Sequence, residues 1–236
     1  MSELTSPSLL QMQNVRKVFY RNGGLPIAVL QKIDFTVYPA DRIAIVGKSG
    51  AGKSTLLHIL GTLERPTKGS VQFIGQDVFS FSERQLSSFR NRQVGFVFQF
   101  HYLMLEFTAL ENVMMPALLA GISRRSAKEQ ASKLLSKVGL SARLDHKPNQ
   151  LSGGEQQRVA IARALIMKPK ILLTDEMTGN LDPVTGKQVI ELVESIHAEF
   201  KMAIISVTHD ETLASSYPKV YRLSDGILQE AHLSSH

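Results

Sequence analysis

The stretch Arg42-Ile43-Ala44-Ile45-Val46-Gly47-Lys48-Ser49-Gly50-Ala51-Gly52-Lys53-Ser54 joins a short apolar run directly to a glycine-rich turn. An apolar run without polar alternation marks a strand buried on both faces of a parallel sheet. The glycines allow positive φ and close approach of a ligand to the backbone. An apolar-rich helix follows over Leu56 to Leu60. Exposed N–H groups at such a helix N-terminus form an anion nest, and the helix dipole favours negative charge there.

The spacing G-x-x-x-x-G-K-S is the full P-loop pattern, in its proper place between strand and helix. Gly47, Lys48, Ser49, Gly50, Ala51, Gly52, Lys53, Ser54 and Thr55 are therefore candidate nucleotide-binding residues. Lys53 is expected on the β- and γ-phosphates. The Ser54 hydroxyl is expected on Mg²⁺, a hard ion that prefers oxygen. Taken alone, the motif specifies an NTPase or a nucleotide kinase.

A second element fits the first. Ile171-Leu172-Leu173-Thr174-Asp175-Glu176 is an apolar strand ending in two carboxylates. Strands of α/β sheets present ligand-binding groups at their carboxyl ends. A strand-end acidic pair is commonly only solvated, but beside a phosphate loop it acquires roles. Asp175 is expected to hold Mg²⁺, and Glu176 to act as general base toward the attacking water.

Outward from these two stretches, Leu9 to Phe19 and Val29 to Val37 have partly alternating β character, separated by Asn22-Gly23-Gly24-Leu25-Pro26. Ser70 to Ile74 and Val94 to Phe98 read as further strands. Helical patterns then run over 110–119, 126–138 and 155–166. Strands return at Ile171 to Thr174 and Ala203 to Val207, with a helix carrying Val189, Ile190, Val193 and Ile196 between them. This order predicts a parallel α/β core with an inserted helical segment. The polar end from Gln229 to His236 is expected to fray.

Of the 236 residues, 43% are hydrophobic, enough for a substantial core. The absence of cysteine excludes disulfides and thiolate sites. Met1 to Pro7 lacks the basic start and apolar run of a signal peptide. The apolar runs fall far short of the ~18 residues a transmembrane helix needs, so membrane attachment is expected through a partner. The net charge of +6 is scattered. Its densest pair, Arg124-Arg125, reads as solvated surface, so no nucleic-acid partner is expected.

Leu151-Ser152-Gly153-Gly154-Glu155-Gln156-Gln157-Arg158 reads as a serine-capped helix start, which leaves the Gly-Gly pair unexplained. With the P-loop and acidic pair, this octet resembles the signature sequence of ABC ATPases. The resemblance runs from Leu9 to about Leu228. It implies an α/β fold of P-loop NTPase (RecA-like) type, with a parallel core sheet, an N-terminal antiparallel β subdomain and an inserted α-helical subdomain. The core and β subdomain are expected over 1–98 and 165–236, the helical subdomain over 99–164.

The resemblance also implies roles. Gln99 matches the Q-loop glutamine, expected at catalysis and at Mg²⁺. Asn180-Leu181-Asp182 matches the D-loop, and His209 the switch histidine that contacts the γ-phosphate. Phe19 fits the aromatic that stacks on adenine, with Tyr20 as the alternative; either is equally readable as core. Two copies are expected to sandwich two ATPs, the P-loop of one facing Ser152-Gly153-Gly154 of the other. Two integral membrane permease subunits are expected on the helical subdomain, which places the chain peripherally at the cytoplasmic face of the inner membrane. Where the family commonly has proline after the acidic pair, this chain has Met177, and a looser turn is expected.

Below family level, Phe100 to Pro116, and Phe107-Thr108-Ala109-Leu110-Glu111-Asn112-Val113 above all, resembles the branch that releases lipoproteins from the Gram-negative inner membrane. Macrolide or peptide exporters and cell-division ATPases share much of this pattern. ABC proteins acting on ribosomes or DNA carry two cassettes or a long coiled-coil insertion, which this chain does not show.

Overall fold

The protein is described here from a computed structural model covering residues 7–20 and 24–231. The expected turn at Asn22-Gly23, the segment 1–6 read for a signal peptide and the end beyond 231 lie outside them. In chain order the elements are β1 (Leu10–Phe19), β2 (Ile27–Val37), β3 (Arg42–Val46), α1 (Lys53–Leu60), β4 (Lys68–Phe73), β5 (Gln76–Asp77), α2 (Glu83–Gln93) and β6 (Val94–Val97). There follow α3 (Ala109–Leu119), α4 (Arg124–Lys137), α5 (Gly153–Leu165), β7 (Ile171–Asp175), α6 (Pro183–Phe200), β8 (Ala203–Thr208), α7 (Glu211–Ser215), β9 (Lys219–Ser224) and β10 (Ile227–Glu230). The chain divides into two compact units, one up to Ser87 and again from Ala203, the other Ser88–Met202.

In the first unit, β1 pairs antiparallel with β2 and β4, and β5 extends the sheet beyond β4. The imperfect alternation of β1 has a local cause. The pairing shifts between Met12 and Val15, and Asn14 sits at φ 49° with its N–H on Asp34 Oδ1 at 2.8 Å. This bulge moves the buried set from Leu10 and Met12 to Val15 and Lys17. The strand β3 runs parallel to both β8 and β9. Its Ile43 and Ile45 are fully buried, as are Leu56, Leu57 and Ile59 of α1. Each such side chain contributes about 1.5–3 kcal/mol through burial, so the start of the phosphate loop is anchored on both sides.

The hairpin β9–β10 was not anticipated from the sequence. Asp225 at φ 49° and Gly226 at φ 75° make its two-residue turn, and Ser224 pairs with Ile227. Two successive positive φ values suit an Asp-Gly turn between antiparallel strands. The pairing of Glu230 with Tyr221 places Gln229 and Glu230 in a strand, not in the frayed end expected for them.

In the second unit, β6 and β7 pair in parallel. A Cβ on Gly95 of β6 would lie 2.7 Å from the Ala164 carbonyl, so only glycine lets α5 approach β6 this closely. Helix α3 packs on α4 and α5. A capping box starts it, with Thr108 and Glu111 exchanging side-chain and backbone hydrogen bonds. No helix among the described residues is long and apolar enough to cross a membrane.

Candidate functional site

The phosphate loop has the conformation its glycines predict. Gly50 and Gly52 stand at φ 79° and 99°. At Gly52 a Cβ would also press on Val29 Cγ1 at 2.9 Å, and at Gly47 it would sit 2.4 Å from the Leu223 carbonyl oxygen of β9. Gly47 and Gly52 are thus fixed by packing, Gly50 by conformation alone. The ammonium of Lys53, only 8% exposed, donates to the carbonyls of Gly47 at 2.7 Å and Lys48 at 3.1 Å. This draws the loop around a cation at the first residue of α1. Lys48, Ser49, Gly50 and Ser54 are exposed, Ala51 and Thr55 half-buried.

A cleft of about 610 Å³ borders the loop backbone over 47–51, the start of β2 and the β9–β10 turn. Phe19 and Tyr20 are 39% and 75% exposed, so neither is core. The Lys17 ammonium lies 4.8 Å from the Phe19 ring centre. His209 is exposed at the end of β8, directly before Asp210, which caps α7 by accepting the N–H groups of Thr212 and Leu213.

In the second unit, β7 carries Asp175 and Glu176 to its carboxyl end, both half-buried. Glu176 has φ 45°, a left-handed conformation that costs a non-glycine residue about 1–3 kcal/mol and recurs at functional sites. The turn after it is closed by Gly179 N–H on Glu176 O at 2.9 Å and Leu181 N–H on Thr178 O at 3.0 Å. Met177 is buried. These two hydrogen bonds restrain the turn in which proline would fix one φ.

A Cβ on Gly179 would lie 3.4 Å from Glu176 Oε2 and 3.3 Å from Gln99 Nε2, so the base candidate and the Q-loop candidate flank one glycine. Asn180 ties them further. Its side-chain amide donates to the Gln99 carbonyl at 3.0 Å, and it accepts from Gln99 Nε2 at 3.5 Å. Asp182 caps α6 through the N–H groups of Val184 and Thr185. The Thr185 hydrogen bonds hold its carboxyl below the usual range.

The signature turn opens α5. Ser152 Oγ accepts from Glu155 N–H at 3.3 Å, and the Glu155 carboxylate accepts from Ser152 N–H at 2.8 Å. That backbone bond, followed by Arg143, holds the Glu155 carboxyl below its ordinary range. The two glycines differ. A Cβ on Gly154 would stand 2.4 Å from Thr185 Cγ2 of α6, whereas on exposed Gly153 it would meet only Leu181 at 3.6 Å. Packing explains Gly154. It does not explain Gly153, which leaves the first turn of α5 bare where its N–H groups have no intrahelical partners.

The segment after Gln99 sorts cleanly. Phe100, Tyr102, Met104 and Leu105 are exposed, while Ala109, Leu110, Val113 and Met114 are core. The exposure of Arg124 and Arg125 agrees with their reading as solvated surface. Sequence reasoning missed the backing of Gly47 by β9, for which the Asp225-Gly226 turn was the available signal. It also missed His101 and Arg163, which carry no motif.

The ABC transporter family model matches residues 30–179. The chain is 55% identical to the lipoprotein-releasing system ATP-binding protein LolD of Geobacter metallireducens, over 93% of this chain and 97% of that one. It is 48% identical to the LolD of Myxococcus xanthus, over 95% and 100% of the two chains. A solved structure, the dimeric post-hydrolysis state of the ATP-binding cassette MJ0796 bound to ADP and Pi, superposes with a TM-score of 0.87. It is 35% identical, over 96% of this chain and all of that one.

Proposed function

The chain belongs to the ABC transporter family, and from that premise we propose that it powers the release of lipoproteins from the inner membrane. It binds ATP and hydrolyses it to ADP and phosphate. The similarity to lipoprotein-releasing ATPases along nearly the whole chain carries the choice of cargo. The exposed Phe100, Tyr102, Met104 and Leu105 support docking of two integral membrane subunits beside the Q-loop. Such docking would hold the chain peripherally at the cytoplasmic face of that membrane. The core with its β subdomain over 1–98 and 165–236, and the helical subdomain over 99–164, are the matching division of labour.

The loop from Gly47 to Thr55 would cradle the phosphates, with Lys53 turning from its own carbonyls to the β- and γ-phosphate oxygens. Phe19 would stack on adenine. Glu176 would take a proton from the attacking water as the water oxygen bonds to the γ-phosphorus and the bond to the ADP oxygen breaks. His209 would contact the γ-phosphate. Ser54, Asp175 and Gln99 would hold Mg²⁺. Their hydroxyl, carboxylate and amide oxygens suit a hard cation that keeps several waters and phosphate oxygens rather than a protein cage. When bound, the ion neutralises phosphate charge.

A second copy would supply Ser152, Gly153 and Gly154 to the phosphates, with Asp182 close to that junction. ATP then favours the closed pair through contacts ADP cannot make. The test is reconstitution of the chain with its membrane subunits in liposomes carrying an acylated lipoprotein. ATP-dependent release of that lipoprotein to a soluble acceptor is expected. Turnover that ignores acylation, with no release, would contradict the assignment of cargo.

A further inference from the structure

The segment after Gln99 is fastened to α5 by groups that no motif names. The Arg163 guanidinium donates to two successive carbonyls, His101 O and Tyr102 O, each at 2.7 Å. Earlier on α5, the Gln157 amide oxygen hydrogen-bonds with His101 Nδ1. Tyr102, whose Cα joins the two contacted peptides, is held at φ 46°. A non-glycine residue persists there only where its surroundings over-determine it, and the planar Arg163 fork does so by orienting two adjacent peptides.

This fastening is costly as mere packing. Arg163 is half-buried, and burial lowers the pKa of its guanidinium. Gln157 is fully buried, and its Nε2 has no hydrogen-bond partner among the described residues. Apolar residues of similar volume would fill this space without those penalties. What they would lack is geometric definition. The same helix carries Ser152 as its cap and Gly153 and Gly154 in its first turn, with Gln157 one turn on. An α-helix of 13 residues is a rod about 20 Å long.

We propose that Arg163, Gln157 and His101 are positioning residues that weld the Q-loop to α5, so that the signature turn and Gln99 shift as one body. Engagement of Ser152 and Gly153 by a nucleotide on the twin copy then sets the placement of Gln99 beside Glu176. This rests on the reading of Gln99 and the signature turn given above.

The test is a double-mutant cycle in the reconstituted transporter. Arg163→Lys, which keeps the charge but loses the fork, and His101→Leu are each expected to lower kcat about tenfold. KM for ATP should stay within about twofold. His101→Gln, which can still hydrogen-bond Gln157, should restore turnover. In a Gln99→Ala background neither change should cost anything further, because each acts through Gln99. Losses that multiply in that background, or unchanged kcat in the single variants, would overturn the proposal. If thermal melting shows Arg163→Lys to be unfolded, the half-buried His101 pair of variants decides alone. Full turnover of Gln99→Ala by itself would instead remove the role given to Gln99, a separate result.

Discussion

Glu176 carries two burdens, a carboxylate at the end of an apolar strand and a left-handed backbone. The first is legible in the sequence, since Ile171 to Thr174 can only be a buried strand. The second is not, because nothing in the residue type announces a positive φ. Glu176 and Gln99 both lie against Gly179, a juxtaposition that needs the turn of residues 176–181 and is invisible to spacing. Glu176→Gln should keep ATP affinity, since the amide fills the same space, while turnover falls by at least about a hundredfold for want of a base. Nucleotide titration beside phosphate release checks both halves, and a fully active Glu176→Gln protein would remove the assignment. Met177, where proline is common in the family, is buried, and a Met177→Pro variant with unchanged turnover would show the position to be neutral.

At the scale of elements, β3, β7 and β8 were legible because uninterrupted apolar runs have one stable home, the middle of a parallel sheet. Helix α2 was not, because Leu86 is its one buried residue. Its available signal was local, with Ser82 and Gln85 capping each other at 2.9 and 3.4 Å. The signature helix has adjacent glycines of which only Gly154 is fixed by packing, so proposed function and structure can be tested apart there. Gly154→Ala should cost about 1–3 kcal/mol through collision with Thr185. Gly153→Asp should leave stability within about 0.5 kcal/mol, an acid being favourable at a helix N-terminus, yet cripple turnover by repelling phosphate. Thermal melts paired with ATPase assays make the comparison; a destabilised Gly153→Asp protein would place that glycine in packing too.

The capping glutamates of α3 and α5 add a pH dependence. Hydrogen bonds from Thr108 lower the pKa of Glu111, and Ser152 with Arg143 lowers that of Glu155. A depressed folded-state pKa means stability present above the ordinary carboxylate range and lost as pH falls through the folded value. Glu111→Gln and Glu155→Gln keep the capping geometry but cannot titrate, so their acid melts should be flatter than the parent's. Identical acid melts would contradict this. 

At the scale of the whole molecule, the chain is one half of a machine. On the proposed reading its phosphate loop holds a nucleotide, and its signature turn would serve as a second anion nest for the nucleotide of another copy. The central claim is that each ATP is shared between two copies, and mixing two inactive variants tests it most directly. Lys53→Ala breaks the phosphate loop, and Gly153→Asp breaks the signature turn. In a mixed pair of shared sites, one site collects both defects while the other keeps an intact loop and an intact turn. ATP turnover on mixing should therefore rise well above that of either variant alone. If the mixture stays as inactive as its parents, although sedimentation shows mixed pairs forming, each nucleotide is handled by a single copy and the account is wrong.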